Sequence, residues 1–497
     1  MGAANRMNFG GHWPAFFLIV IVAIATRWVT YGNPVVIEDD QFYLLVGEAM
    51  RHGQLPYVDI WDRKPIGLFL LFAGIASIGG ASILFMQLVA TAFAAATAWL
   101  IRSIALRFAG PPGALLAALA YLVMLPLFGG QSGQSPVFYN LFMAGAFALL
   151  AGAAASGSLT TTRRNALWAM LLCGVTLTIK PVSVAEGIFF GLAFLWLLHR
   201  QGERRTAIAG TGAAMIVLAL LPSLAALAVY AAMGRAALEA YFHANFVSIF
   251  HKSGLGSTAK LAGLAYLAIY IVPLAAFATM GAVQRWKMAH RGRLAGLLVG
   301  WMIAALLGYL IVPNFFDHYA LPLLAPLCIS AATLFARRDG PMFFAALLLF
   351  CFIQGAIVDL GGNRRARADM AAVRSVIEQA RHGGCLFVAD GPAWLYAQSP
   401  ACRVTPYQFP GHLSLHVEGK ALGVSQRDEL VRVLAQRPAV VVTQDSERDQ
   451  RHPDIDRLLY GSLDRDYRSI ASLPADASPK LSTLRVWQRR DLAPPTR

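Results

Sequence analysis

Charge is what this chain has least of. Only 14% of its 497 residues are Asp, Glu, Lys or Arg, against 57% hydrophobic, where a soluble domain carries about a quarter charged residues. That excludes an ordinary water-soluble enzyme, and the mean hydropathy of +0.54 agrees. Acids are scarcer than bases, 27 against 42, for a formal net charge of +15. The excess does not point to nucleic acid, because the basic residues sit in short clusters between apolar runs and not on one patch. Cysteine is scarce too. Cys173, Cys328 and Cys351 lie in apolar runs and read as small core residues, and no zinc-binding spacing is present. Cys385 and Cys402 lie in a polar tail and are free to pair if that tail faces an oxidising compartment.

What the chain does have is long apolar runs. A membrane-crossing helix needs roughly 20 apolar residues. Spans are predicted near 13–31, 82–101, 112–129, 137–156, 166–180, 182–199, 207–232, 261–283, 294–312, 319–336 and 341–360. The first run resembles a signal peptide, with Arg6 before it, but extends to Val29 and reads as a retained span. The segment 66–79 is short. Treated as interfacial, with a cytoplasmic N-terminus, it leaves 14 of the first 22 basic residues in cytoplasmic loops; treated as a span, it inverts every later cluster. The expected fold is therefore an α-helical polytopic membrane protein of about eleven transmembrane helices plus interfacial helices. Composition breaks near Gly361, and 361–497 holds about half of all charges. Residues 1–360 are expected to form the membrane domain and 361–497 a small extracytoplasmic α/β domain. In the latter, 366–382 and RDELVRVLAQ read as helices; CLFVAD, AVVVT and STLRVWQRR read as strands. No phosphate-binding G-x-x-x-x-G-K loop occurs. Arg364, Arg365 and Arg367 are a basic cluster on the outer side, against the charge rule.

The polar groups gather in the predicted outer loops. The first contains Glu38, Asp39, Asp40, Glu48, Asp59 and Asp62, half the acids of the first 360 residues, together with Arg63 and Lys64. Gln41 to Arg51 has helical apolar spacing for a helix on the membrane surface. Asp39 and Asp40 would then stand at its N-terminal end, where a carboxylate is favoured for structural reasons alone. Lys64 also suits a snorkelling lysine at a helix start. Lys180, between two apolar runs with no acid beside it, is costly there and points to an anion or to Glu186 as partner. His318 and Tyr319 follow Asp317 at the head of another apolar run, an arrangement that capping alone also explains. The loop with His243, His251 and Lys252 reads as solvated surface.

From Glu38 to Gly67 the sequence resembles the polyprenyl-phosphate-dependent membrane glycosyltransferases of the GT-C class, the protein O-mannosyltransferase-like and aminoarabinose- or galacturonic-acid-transferase-like family. The matching residues are Asp39, Asp40 and Tyr43, then Gly53, Pro56, Tyr57, Asp59, Trp61, Asp62, Lys64 and Pro65. TIKPVSV at Lys180 and HYALPLLAPL from His318 look like later segments of the same family. The resemblance implies transfer of a sugar from a polyprenyl-phosphate donor to a lipid, glycan or protein acceptor at the outer face of a bacterial inner membrane. It puts Asp39, with Asp40, in the catalytic role and Lys64, Arg63, Lys180, His318 and Tyr319 at the donor phosphate. Tyr43, Tyr57 and Asn140 would position substrate. Arg63 stands where aminoarabinose-transferring relatives have an acid, and GQSPVFYN lacks the second acid of many relatives. A mechanism without metal or other cofactor is therefore expected. The alternative from another class is a transporter or flippase of an anionic lipid-linked substrate, against which the chain offers no internal repeat.

Overall fold

The computed structural model describes residues 13–251, 256–286, 292–312, 314–355, 359–398, 402–445, 451–473 and 483–494. Arg6 and Lys252, named above, and the basic residues Lys287 and Arg291 of the cytoplasmic loop predicted between 283 and 294 lie outside them. The membrane part runs through α1 (Trp13–Ala25), α2 (Glu38–Arg51), α3 (Ile66–Gly79), α4 (Ile83–Ala105), α5 (Pro111–Met124), α6 (Ser135–Ser156), α7 (Leu159–Ile179), α8 (Val184–Arg200) and α9 (Arg205–Ala232). Next, α10 (Arg235–Phe242) and α11 (Ser248–His251) flank a π-helical turn at His243–Val247, and α12 (Ser257–Trp286), α13 (Gly292–Ile311), α14 (Leu321–Phe335) and α15 (Gly340–Ile353) complete the bundle.

Each of the eleven predicted spans coincides with a helix, and the chain is a multi-pass membrane protein. Among the described residues eight helices are long and apolar enough to cross a membrane by themselves. The others fall short for visible reasons. α1 ends at Ala25 because Arg27 is buried and its guanidinium turns inward to donate to the Gly130 carbonyl at 3.0 Å. α7 spends its first turn on Thr and Arg. α15 is only 14 residues long. α14 is the axis of the bundle. All fifteen of its side chains are buried, and the Arg285 guanidinium of α12 grips the Ser330 carbonyl at 2.7 Å.

α3 is apolar throughout yet does not cross. At 14 residues it reaches about 21 Å, no shorter than α1 or α15, so it is the position of its ends that sets it apart. Both of its ends meet one end of the bundle. Gly67 packs on Thr178, in the last turn of α7, where a β-carbon would collide, and Gly79 packs on Phe85 in the first turn of α4. α3 lies along one face, with Gly47 of α2 packed directly on the Phe72 backbone.

Beyond the bundle come α16 (Leu360–Arg381), β1 (Leu386–Val388), α17 (Trp394–Gln398), α18 (Gln426–Ala435), β2 (Val440–Gln444), α19 (Pro453–Asp466), β3 (Tyr467–Leu473) and β4 (Leu484–Arg489). The Asp359 carboxylate caps α16 by accepting from the Gly362 amide at 2.8 Å. α16 buries Ala366, Met370, Val373, Ile377 and Ala380, a spacing of four and three. The sheet order is β1-β2-β4-β3, parallel between β1 and β2 and antiparallel elsewhere. Every residue of β1 and β2 is buried, which is why both read as continuous apolar runs. Cys385 and Cys402 are joined by a disulfide. This C-terminal unit is tied to the loops at the α3 end of the bundle. Asn33 donates to Asn363 at 2.8 Å, Arg367 donates to the Val29 and Tyr31 carbonyls at 3.1 Å, and the Trp61 amide donates to the Pro406 carbonyl at 2.9 Å.

Candidate functional site

Between the bundle and the C-terminal unit lies a cavity of about 290 Å³. Six separate stretches line it: the start of α2, the Asp62–Lys64 turn before α3, Gly129 and Gln134 in the loop between α5 and α6, Lys180 between α7 and α8, the stretch from Asn314 to Tyr319 before α14, and Phe409–Glu418 from the C-terminal unit. Helix ends supply most of these positions, because the polar residues of an apolar bundle collect where its helices stop.

Asp39 stands in the first turn of α2, at the positive end of the helix dipole. The Lys64 ammonium lies 3.4 Å from one of its carboxylate oxygens, and the Gln134 side-chain amide donates to the other at 3.2 Å. Burial pushes the carboxyl up, but the charges of Lys64, His318 and Lys180 and the Gln134 hydrogen bond outweigh it, and Asp39 is held well below the usual carboxylate range. Its neighbour behaves oppositely. Asp40 is 1% exposed, points away from the cavity and accepts from the Gly133 amide at 2.8 Å. Burial, opposed by hydrogen bonds from Ser132 and Gly133, pushes it up to about 7, with the Asp39 charge adding to the rise. Two adjacent acids are thus set apart, one a carboxylate facing the cavity and the other half-protonated at neutral pH behind it.

The cations are also unalike. The Lys64 ammonium sits between the rings of Tyr43 and Phe409, 5.3 and 5.6 Å from their centroids. Burial disfavours its charge, but Asp39, Tyr43 and Asp62 prevail and raise it well above the ordinary lysine value. The Lys180 ammonium has no hydrogen-bond or ion-pair partner among the described residues and lies over the Tyr319 ring at 4.6 Å. Burial and the like charge of Lys64 bring it down to about 8. Arg63 is committed elsewhere, in a buried ion pair with Glu418 and beside the Trp61 ring. The His318 amide donates to the Asp317 carboxylate at 2.7 Å, and the His318 Nδ1 lies 3.3 Å from the same oxygen.

Of the residues predicted from sequence, Asp39, Arg63, Lys64, Lys180, His318 and Tyr319 line the cavity together. Tyr43 is buried beneath Lys64. Asp40, Tyr57 and Asn140 do not line it. Tyr57 has φ +70°, in the left-handed region, and its hydroxyl donates to the Lys64 carbonyl at 2.8 Å. It shapes the turn that presents Lys64. Asn140 donates to the Leu321 carbonyl at 3.1 Å and to the Tyr121 hydroxyl at 3.3 Å, fastening α6 to α14.

Sequence reasoning missed the residues of the C-terminal wall. Glu418 holds Arg63, and His412 Nε2 stands 3.9 Å from the Asp62 carboxylate, whose other oxygen accepts from the Lys64 amide at 2.9 Å. Burial keeps His412 neutral, down to about 4. The only local signal was FPGH, a Pro-Gly turn between an aromatic and a histidine, which says nothing about where the turn docks. Among the described residues no three His, Cys, Asp or Glu side chains group as a metal site.

The chain thus combines a helical membrane bundle, an apolar α3 along one end, a charged cavity and a C-terminal sheet. No protein-family model matches the chain, and no curated protein matches it by sequence. Solved structures do. ArnT from Cupriavidus metallidurans bound to undecaprenyl phosphate shares the fold with a TM-score of 0.66 at 14% identity, covering 98% of this chain and 100% of that one. The apo form of the same protein gives 0.65 at 15% identity, over 96% and 98%. The Archaeoglobus fulgidus oligosaccharyltransferase in complex with Zn and sulfate is more distant, at 0.50 and 9% identity over 86% of this chain and 68% of that one. At such identities the fold is what is shared.

Proposed function

We propose that the chain is a membrane glycosyltransferase, moving a hexosyl- or pentosyl-type sugar from a polyprenyl-phosphate donor to a hydroxyl of a lipid, glycan or protein acceptor. It would work at the outer face of a bacterial inner membrane, with its N-terminus cytoplasmic and its C-terminal unit outside. One observation carries the reading: a carboxylate, Asp39, and two lysines distant in sequence, Lys64 and Lys180, line one cavity. The crystal structure of ArnT with undecaprenyl phosphate adds support, since the fold is common to both.

The residues suit the chemistry. The acceptor hydroxyl gives its proton to Asp39 as its oxygen bonds to the sugar's anomeric carbon. The bond from that carbon to the phosphate oxygen breaks, and the polyprenyl phosphate departs with the electron pair. Lys180, which has no anion of its own among the described residues, and Lys64 receive the growing charge in a site largely closed to water. Phosphate drawn to Lys64 also loosens that lysine's hold on Asp39, so donor binding raises the basicity of the group that must take the proton. Phosphate contact by Arg63 would require release from Glu418. An apolar furrow of about 380 Å³ between α7, α8 and α9 begins at Ser183, three residues from Lys180, and suits the lipid tail.

The test is purified full-length protein with radiolabelled polyprenyl-phosphate sugars and a membrane-lipid extract as acceptor. Release of polyprenyl phosphate coupled to labelled acceptor is expected from wild type and lost in Lys64→Ala. Turnover unchanged in Lys64→Ala overturns the site assignment.

A further inference from the structure

A second site lies outside the cavity, where the C-terminal unit meets the membrane. Arg364, Arg367 and Arg374 fall on one stripe of α16, spaced three and seven residues apart. Arg367 and Arg374 line a groove of about 460 Å³ with Gly32, Pro34 and Trp394. Arg364 continues the stripe one turn nearer the membrane. Arg364 and Arg374 have no ion-pair partner among the described residues. The acid at the far end of the groove, Glu378, is engaged by Arg381 at 2.8 Å. Arg367 is fixed by the Val29 and Tyr31 carbonyls.

The height of this groove is set by its neighbours. Arg367 binds the carbonyl of Val29, next to Trp28, which is 52% exposed at the end of α1, as expected of an interfacial aromatic at headgroup level. Directly below, Tyr31 closes the top of a second, apolar furrow of about 560 Å³ between α1 and α4. That furrow is lined on α4 from Leu88 to Leu100, a length of about 18 Å at 1.5 Å per residue. One leaflet of a roughly 30 Å apolar layer is comparable. A charged groove at headgroup height thus meets a one-leaflet furrow at Tyr31–Gly32. The arginines also occupy the side on which basic clusters are otherwise not expected.

We propose that the groove and furrow together hold one anionic phospholipid of the adjoining leaflet, its phosphate on the arginine stripe and an acyl chain between α1 and α4. The geometry favours a bilayer lipid over a free anion, because the furrow contributes almost entirely apolar surface, its Tyr31 and Thr91 hydroxyls being bonded to each other at 2.9 Å. This site is separate from the donor cavity, and the inference stands whether or not the chain is a transferase. The bound lipid would bridge α1, α4 and α16 and so secure the C-terminal unit to the bundle.

The test uses full-length protein in detergent micelles, titrated with phosphatidylglycerol, phosphatidylcholine or inorganic phosphate and read by native mass spectrometry. Wild type is expected to retain phosphatidylglycerol at least tenfold more tightly than phosphatidylcholine. At about fivefold per arginine, Arg364→Gln with Arg374→Gln should erase that preference. Ala92→Phe, which fills the furrow from its exposed side, should weaken both lipids, and Arg427→Gln, which removes an exposed charge on α18, should change neither. Equal retention of the two lipids by wild type overturns the proposal. So does unchanged phosphatidylglycerol binding in the arginine pair and in Ala92→Phe. Displacement of phosphatidylglycerol by equimolar inorganic phosphate also overturns it and marks a free-anion site.

Discussion

The two walls of the cavity are built on different principles. The membrane wall is assembled from helix ends, each side chain placed by a turn that the bundle makes rigid: Asp39 at the head of α2, Lys64 before α3, Lys180 between α7 and α8, His318 before α14. The C-terminal wall is one loop, Phe409–Glu418, holding on through an ion pair and a ring. In the proposed reaction the membrane wall would present the groups that meet substrate, while Glu418 of the C-terminal wall holds Arg63 and Phe409 lies beside Lys64. If that division is right, substitutions in the first wall abolish chemistry, and those in the second degrade it through Arg63 and Lys64.

The largest effect is expected at Asp39. General-base assistance contributes typically 10²- to 10⁴-fold, so Asp39→Asn should lower kcat by about that factor with little change in KM for the donor. Single-turnover transfer from a labelled donor measures it directly. A normal kcat would move the base elsewhere and leave Asp39 as a cap on α2.

Next comes Lys180. A charged hydrogen bond to the leaving phosphate is worth about 1.5–3 kcal/mol, so Lys180→Ala should lower kcat/KM by roughly 10- to 150-fold. The pH profile sharpens the point. Lys180 titrates at about 8, below the ordinary lysine value, because of burial and then Lys64. Its ammonium is present below that pH and lost above it. Activity in kcat/KM should fall as pH rises through about 8, and Lys180→Arg should carry the plateau to higher pH. An alkaline limb that stays in place in Lys180→Arg would assign it to another group.

The C-terminal wall should give a smaller effect on rate and a larger one on stability. Glu418→Gln leaves Arg63 buried without its counter-charge, a change that costs about 3–5 kcal/mol in comparable buried pairs, and thermal unfolding should register it. Transfer should fall about tenfold, as Lys64 loses its neighbour's support. Arg63→Gln added to Glu418→Gln should restore part of the stability. Equal losses in the single and double variants would show that the pair is no buried unit.

The bundle and the rank order of these sites were legible for different reasons. Apolar runs and basic clusters fixed the helices and kept α3 on one face, because burial and charge asymmetry are properties of single segments. Asp39, Lys64 and Lys180 stood out because each is a charge at the edge of an apolar run. Tyr57 and Asn140 were harder to place, because a polar group near a helix end looks the same in sequence whether it faces a cavity or, as both do here, a neighbour's carbonyl. Glu418 and His412 were invisible, since their meaning depends on docking a loop that reaches 355 residues beyond Arg63 in sequence. β3 and α19 were missed as well: the β3 strand is only partly buried, with no clean alternation of buried and exposed residues.

The smallest effect on rate, and the finest test of the comparison, is expected at Asp40, which sits behind the membrane wall. Its folded-state carboxyl is raised to about 7 by burial, against an unfolded value near 3.8. Between those two values the folded chain holds a proton that the unfolded chain has released, so this group's contribution is fully present below the unfolded value and is lost as pH rises through about 7. Asp40→Asn keeps the acceptor oxygen for the Gly133 amide and removes the titration. Transfer should stay within a few-fold of wild type, while the decline in thermal stability between pH 5 and 8 should flatten. Should Asp40→Asn abolish turnover with the fold intact, the acid behind the wall would belong to the chemistry after all, and the division between a reacting carboxylate and a structural one would have to be redrawn.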